Sequence, residues 1–119
     1  MASAQDFHDS FGTQEIKRAA ISASSSGDNT LVAAVTATKI RVHNVILMSA
    51  GTVTVTFQSG AGGTNLSGAL PLVANTGFAP GFDPLGHFET AAGSLLNVSL
   101  SGPVAVTGWL TYSEIAAAR

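Results

Sequence analysis

The sequence predicts an all-β fold: a single antiparallel β-sandwich of about eight short strands, jelly-roll-like, with an extended N-terminal arm. Three observations predict it. Apolar and polar residues alternate at a period of two in several segments, most clearly in TVTVTFQS at 52–59. Clusters of Gly, Pro, Asn, Asp and Ser interrupt these segments roughly every 8–12 residues, the spacing of a sandwich or barrel. No segment reads as a convincing helix. A length of 119 residues fits one domain with one core, and a hydrophobic fraction of 45% supplies that core without staples. The expected division is an arm at 1–15, the sandwich at 16–115 and a tail at 116–119.

Residues 1–14, MASAQDFHDSFGTQ, are polar and hold no period. Phe7 and Phe11 stand alone in them, so the stretch reads as an extended arm, either a frayed terminus or an arm that docks Phe7 and Phe11 on a neighbouring subunit or partner. IKRAAISA (16–23) alternates loosely, and SSSGDN (24–29) is a turn cluster in which Gly27, Asp28 and Asn29 supply left-handed or Asx geometry. TLVAAVTA (30–37) reads as a strand. In KIRVHNVILMS (39–49), Ile40, Val42, Ile46 and Met48 share one face, interrupted by Asn44. Lys39, Arg41 and His43 begin the other face, which turns apolar at Val45 and Leu47. That change predicts a strand wet on its outer side at one end and covered at the other, with Val45 and Leu47 in the covering contact.

The tight turn SAGT leads into 52–59, where Val53, Val55 and Phe57 oppose Thr52, Thr54 and Thr56. The segments 39–49 and 52–59 are expected to pair as a hairpin. GAGGTNLSG (60–68) is a glycine-rich loop. ALPLVANTG (69–77) is a strand broken by Pro71, hence an edge or a bend. FAPGFDPLG (78–86) is irregular, and HFETAA (87–92) is a brief strand. SLLNVSLSG (94–102) places Leu96, Val98 and Leu100 inward. PVAVTGWLTYSEI (103–115) puts Val104, Val106, Leu110 and Tyr112 on one face, with Gly108 marking a bulge or close crossing and Trp109 on the opposite face.

Chemistry is sparse. GFDPLGHFETAAG (81–93) alone brings an aspartate, a histidine and a glutamate together. Asp83, His87 and Glu89 would supply three ligands of a zinc site, and His87 and Glu89, two apart on a strand, would point the same way. The plainer reading is that Asp83 caps the turn around Pro84 while His87 and Glu89 are surface or interface groups, and it is preferred. No Gly-x-Ser-x-Gly elbow joins a strand to a helix, and none of the histidines sits in a nucleophile-activating motif. Asp83 and Glu89 as a glycosidase pair would lack the aromatic platforms such sites use. The glycine-rich loop lacks the lysine and following helix of a phosphate-binding loop. The expectation is therefore no enzyme, no cofactor and no metal, with Phe7, Phe11, Val45, Leu47, His87, Glu89 and Trp109 as interface candidates.

Charge points the same way. Charged residues are 10% of the chain, against about 25% in an ordinary soluble domain, and the formal net charge is −2. A surface so poor in charge is expected to be covered by copies of itself or by a partner. The Lys and Arg residues form no cluster, which argues against direct nucleic-acid binding. The apolar runs fall far short of the roughly 18 residues a membrane helix needs. No secretory leader is visible, so the sequons at Asn65 and Asn97 are expected to carry no glycan. Without cysteine there are no disulfides and no thiol chemistry.

The stretches GDNTLVAAVTATKIRVHNVILMSAGTVTVTFQSGAGGTNLSG and GHFETAAGSLLNVSLSGPVAVTGWLTYSEI resemble small β-sandwich proteins from the structural gene clusters of tailed bacteriophages and prophages. The resemblance covers residues 16–115 and is carried by KIRVHNVILMSAGTVTV, GHFET, SLLNV and the terminal G-W-L-T-Y. Some members of that group are head decoration, or cement, proteins. The resemblance implies a jelly-roll subunit, made in the host cytoplasm, that forms a homotrimer, sits on the virion exterior and clamps major capsid protein subunits. The alternative is a head-fibre, tail-fibre or baseplate adhesion module that binds host surface glycan. No catalytic residues come with the resemblance.

Overall fold

A computed structural model describes residues 6–9 and 12–116, with side chains from residue 15 onward. The fold is all-β. Two antiparallel five-stranded sheets pack face to face. Within the arm, β1 (Asp6–Asp9) pairs with β2 (Gly12–Glu15) in a separate two-stranded ribbon. The front sheet has the order β10 (Phe88–Glu89), β5 (Thr38–Ser49), β12 (Val106–Ala116), β3 (Lys17–Ala23), and β9 (Thr76–Phe78) also pairs with β5. The back sheet has the order β4 (Gly27–Val32), β11 (Leu96–Leu100), β6 (Val53–Ser59), β7 (Thr64–Asn65), and β8 (Leu70–Leu72) also pairs with β6. With β7 and β8 taken as one interrupted strand, and β9 and β10 as another, this is the strand order of a jelly roll. Pro71, in β8, confines that strand to an edge, as its missing N–H requires. No helix of the described residues is long and apolar enough to cross a membrane.

The core lies between the sheets. Ile21, Ile40, Val42, Val45, Leu47, Val106 and Leu110 come from the front sheet, and Val32, Val53, Val55, Phe57, Leu96, Val98 and Leu100 from the back. Phe57 is central. Its ring meets Phe88 at 5.1 Å and the edge of Phe78 at 6.5 Å, so the short strands β9 and β10 are pinned by aromatic contacts rather than by long ladders.

The expected hairpin between 39–49 and 52–59 does not form. β5 and β6 belong to different sheets, and the turn between them crosses the core. Alternation shows which side chains face inward, but an inward residue on either side of a tight turn suits a hairpin and a crossing equally. Ser49 and Val53 are both buried on either side of residues 50–52, and Ala50 N–H donates to Ala105 O at 2.9 Å, tying the crossing to the entry of β12.

The facing of β5 also differs from the expectation. Thr111 is in register with Asn44, but Tyr112 is in register with Val42, so His43 is an extra residue, a β-bulge. The bulge shifts the alternation by one. Ile40 and Val42 face the core before it, and Val45 and Leu47 face the core after it. Val45 and Leu47 are therefore core residues, 2% and 0% exposed, and not the outer contact predicted for them. Ile46 and Met48 take the outer face instead.

β5 is closely approached from both sides. A Cβ on Gly77 in β9 would overlap the Leu47 carbonyl oxygen, and one on Gly108 in β12, at φ +148°, would overlap that of Ile46. Gly108→Ala is expected to lower stability by more than about 1 kcal/mol. Gly68→Ala, where no atom lies within 4 Å, is expected to stay within about 0.5 kcal/mol. Urea denaturation of the two variants checks the contrast.

Candidate functional site

The residues that drew attention in the sequence lie along one margin of the front sheet, where residues 79–89 run beside β5. Asp83 forms the turn it was expected to form. Its Oδ1 accepts from Leu85 N–H at 2.9 Å and its carbonyl from Gly86 N–H at 2.9 Å, which is Asx capping around Pro84. His87 is hydrogen-bonded through Nε2 to Gly81 O at 2.7 Å, closing the loop on itself. Glu89 reaches the other way, to Arg41 Nε at 3.0 Å and Lys39 Nζ at 3.3 Å. The three side chains thus serve separate partners. Among the described residues no group of three His, Asp or Glu converges on a point that would hold a metal.

Burial pushes the Glu89 carboxyl up, but the hydrogen bonds and charges of Arg41 and then Lys39 outweigh it and hold the group below its ordinary value of 4.5. At the same end of the sheet, the Lys17 ammonium donates to Glu114 Oε1 at 2.8 Å and titrates above its ordinary value because of that bond. Burial, and then the Glu114 charge, raise the Tyr112 hydroxyl.

The residue the sequence reading passed over is His43. It is 0% exposed. Its Nδ1 lies 2.8 Å from Asp83 O, and its Nε2 lies 2.8 Å from Ser113 Oγ, itself 1% exposed. A carbonyl only accepts, so Nδ1 carries the proton, and in the neutral ring Nε2 accepts from the serine hydroxyl. Phe82 stacks on the imidazole at 5.3 Å. Asp83 N–H returns a bond to His43 O at 2.9 Å, Gly81 N–H donates to Asn44 Oδ1 at 3.2 Å, and His87 N–H donates to Val42 O at 2.7 Å. This is a Ser–His pair closed under a loop. It fixes residues 81–87 to the bulge. The signal was in the sequence: apolar positions at Val42 and Val45, three apart, break the period of two with His43 and Asn44 between them.

A matching construction stands on the back sheet. Asn97 follows a register shift between Leu96 and Asn97 and is 0% exposed. Its Nδ2 donates to Asp28 Oδ1 at 3.0 Å and to Gln58 Oε1 at 2.8 Å, while its Oδ1 accepts from Asn29 N–H at 2.9 Å. Asp28 Oδ1 also accepts from Gly62 N–H at 3.0 Å, which ties down the glycine-rich loop. A side chain so enclosed is no glycan acceptor.

The outer face of the front sheet is of different character. In register across β3, β12 and β5, one row reads Ala20, Trp109, Ile46 and the next reads Ser22, Thr107, Met48. Trp109 is 45% and Met48 51% exposed. Beyond Met48, a groove of about 330 Å³ runs along Asn75–Ala79. These rows carry no charge. The third row, Arg18, Thr111, Asn44, carries only Arg18. Trp109 is thus where the sequence placed it, among uncharged neighbours. Of the arm residues, Phe7 belongs to β1 in register with Gln14, and Phe11 lies outside the described residues.

Comparison with known protein families, curated proteins and solved structures returns no match for this chain.

His43→Leu removes both ring bonds, leaving Asp83 O with the Gly86 N–H bond and Ser113 Oγ without its bond to Nε2. It is expected to cost about 2–3 kcal/mol. It should also speed amide hydrogen exchange at Asp83 and His87 ahead of global unfolding; unchanged exchange there would show that the latch does not hold the loop. The Glu89 carboxyl has a depressed folded value, so its stabilisation is present above about 4.5 and is lost as pH falls through that folded value. Glu89→Gln is expected to flatten the acid limb of a pH–stability curve, by roughly 0.5–1 kcal/mol because the pair is partly screened.

Proposed function

We propose that this chain is a structural virion protein of a tailed bacteriophage, a decoration subunit that binds the outside of the head and holds neighbouring major capsid subunits together. It acts by surface contact and not by catalysis. The observation that carries this reading is the pair of uncharged rows on the outer face of the front sheet, with Trp109 exposed in one of them. Interfaces shed charge and gain aromatic anchors in this way. The side chains able to do chemistry support the reading too, since His43, Asp83, His87 and Glu89 are engaged in holding loops. The sequence resemblance supplies the partner. A decoration subunit stabilises the lattice by binding the assembled state alone, and many copies acting together compensate for modest single contacts.

The test is co-sedimentation of the purified chain with undecorated heads. Saturable binding is expected, with a rise in the temperature of head disruption. Trp109→Ala should weaken it by at least about 10-fold while the thermal melt of the free chain stays close to wild type. Deletion of residues 1–14 should weaken it as well. Absence of binding, together with selective retention of a glycan on an array, would replace this reading with the adhesion module.

A further inference from the structure

The open edges of the two sheets are not alike. A strand edge exposes unpaired N–H and C=O groups, and folded proteins guard such edges with short strands, proline, charge or bulges. β7 and β10 have two residues each and β9 has three. β8 carries Pro71. β4 lies beside the register shift at Asn97, carries Asp28, and has Asn29 Nδ2 bonded to Gly27 O and Ser25 O. β3 has none of these devices over most of its length. It is seven residues long, ends its sheet, and among the described residues pairs only with β12. Its charges, Lys17 and Arg18, stand at one end, and Ala19–Ala23 is uncharged and regular, with small side chains at Ala20 and Ser22 on its outer side.

We propose that β3 is a self-association edge: it pairs antiparallel with β3 of a second copy of this chain about a two-fold axis at Ala20. The side-chain pattern selects a second copy as the occupant. Centred on Ala20, antiparallel pairing sets Ala20 against Ala20 of the partner subunit, Ala19 against Ile21 of the partner subunit, and Arg18 against Ser22 of the partner subunit. Inward residues meet inward residues, so both cores stay covered. The basic pair of each chain faces uncharged residues and lies at the opposite end from its symmetry mate, so like charges do not meet. Because the other edges of the two five-stranded sheets are guarded, a head-to-tail contact with one of those strands is disfavoured, and the closed, isologous pair is the symmetric solution. The product is a dimer, in contrast to the trimer the sequence resemblance implies. In it the row Ile46–Trp109–Ala20 continues across the axis into its copy, forming one uncharged strip. The inference stands apart from the capsid reading and can hold or fail without it.

The chain has no cysteine, which makes a cross-linking test clean. Directly opposite residues have Cβ atoms about 5 Å apart. Ala20→Cys is therefore expected to give a disulfide-linked dimer, at twice the 12.0 kDa of the chain, under mild oxidation. Ser22→Cys, whose two copies would lie about 13 Å apart along the strands, is expected not to. Arg18→Cys combined with Ser22→Cys should cross-link again. Light scattering of the unmodified chain should report a dimer, and Ala20→Lys, exposed and on the outer side, should report a monomer with an unchanged circular dichroism spectrum. A monomeric wild type, or cross-linking of Ser22→Cys as fast as Ala20→Cys, would overturn the proposal.

Discussion

The bulge at His43 is the constraint on which the front sheet depends. One extra residue in β5 lets Ile40 and Val42 on one side of it, and Val45 and Leu47 on the other, all reach the core. Without it, Val45 and Leu47 would turn outward and Asn44, Ile46 and Met48 would turn toward the core. The cost is an imidazole that has to be enclosed, and a buried polar ring left unpaired would cost about 1–3 kcal/mol. Ser113 and the Asp83 carbonyl satisfy both nitrogens. The same bonds attach residues 81–87 to the edge of β5, between the short strands β9 and β10. What would be a single edge strand in a more regular sandwich is here two short pairings with a latched loop between them.

The back sheet solves a similar problem with an amide. Asn97, at its own register shift, gathers Asp28, Asn29 and Gln58 and, through Asp28, the loop at Gly62. In both sheets an irregularity buries one polar side chain, and that side chain holds a loop rich in glycine. Fully satisfied networks of this kind rigidify the fold. Among the described residues, the His, Asp and Glu that the sequence offers as chemistry are used as fasteners.

Much of this was legible in the sequence, for identifiable reasons. The inward sets of 53–57, 96–100 and 104–112 follow strict alternation and are found as read, and the turn at Asp83–Gly86 follows from Asp before Pro. Trp109 lies opposite Leu110 in the alternation and is exposed. What escaped is what alternation does not encode. A period of two does not state whether the next strand stays in the sheet or crosses to the other, so β5 and β6 read as a hairpin. A one-residue bulge inverts every later assignment on its strand, so Val45 and Leu47 read as a covered outer contact while Ile46 and Met48 read as sharing the face of Ile40 and Val42. His43 looked like the wet face of a strand because its two partners, Asp83 and Ser113, are 40 and 70 residues away.

The distribution of charge follows from the same topology. Lys17 and Glu114 pair where β3 begins and β12 ends, and Lys39, Arg41 and Glu89 pair where β5 begins. In an antiparallel sheet these are one end of the sandwich, and Arg18 is beside them. β2 leads into β3 there as well, so the terminal ribbon leaves from the charged end. Among the described residues the ion pairs are thus gathered at one end, while Asp28 and Asp83 stand apart from it in turns and networks. Ion pairs this exposed contribute little to stability, but they keep one end hydrated. The rows through Trp109 and Thr107, and the edge at Ala19–Ala23, have no such hydration and no edge protection. The uncharged row Ile46–Trp109–Ala20 of the outer face reaches the edge strand β3 at Ala20. A single uncharged surface thus reaches from the groove beside Met48 to the rim of the sheet at Ala20, and the ion pairs lie beyond one end of it.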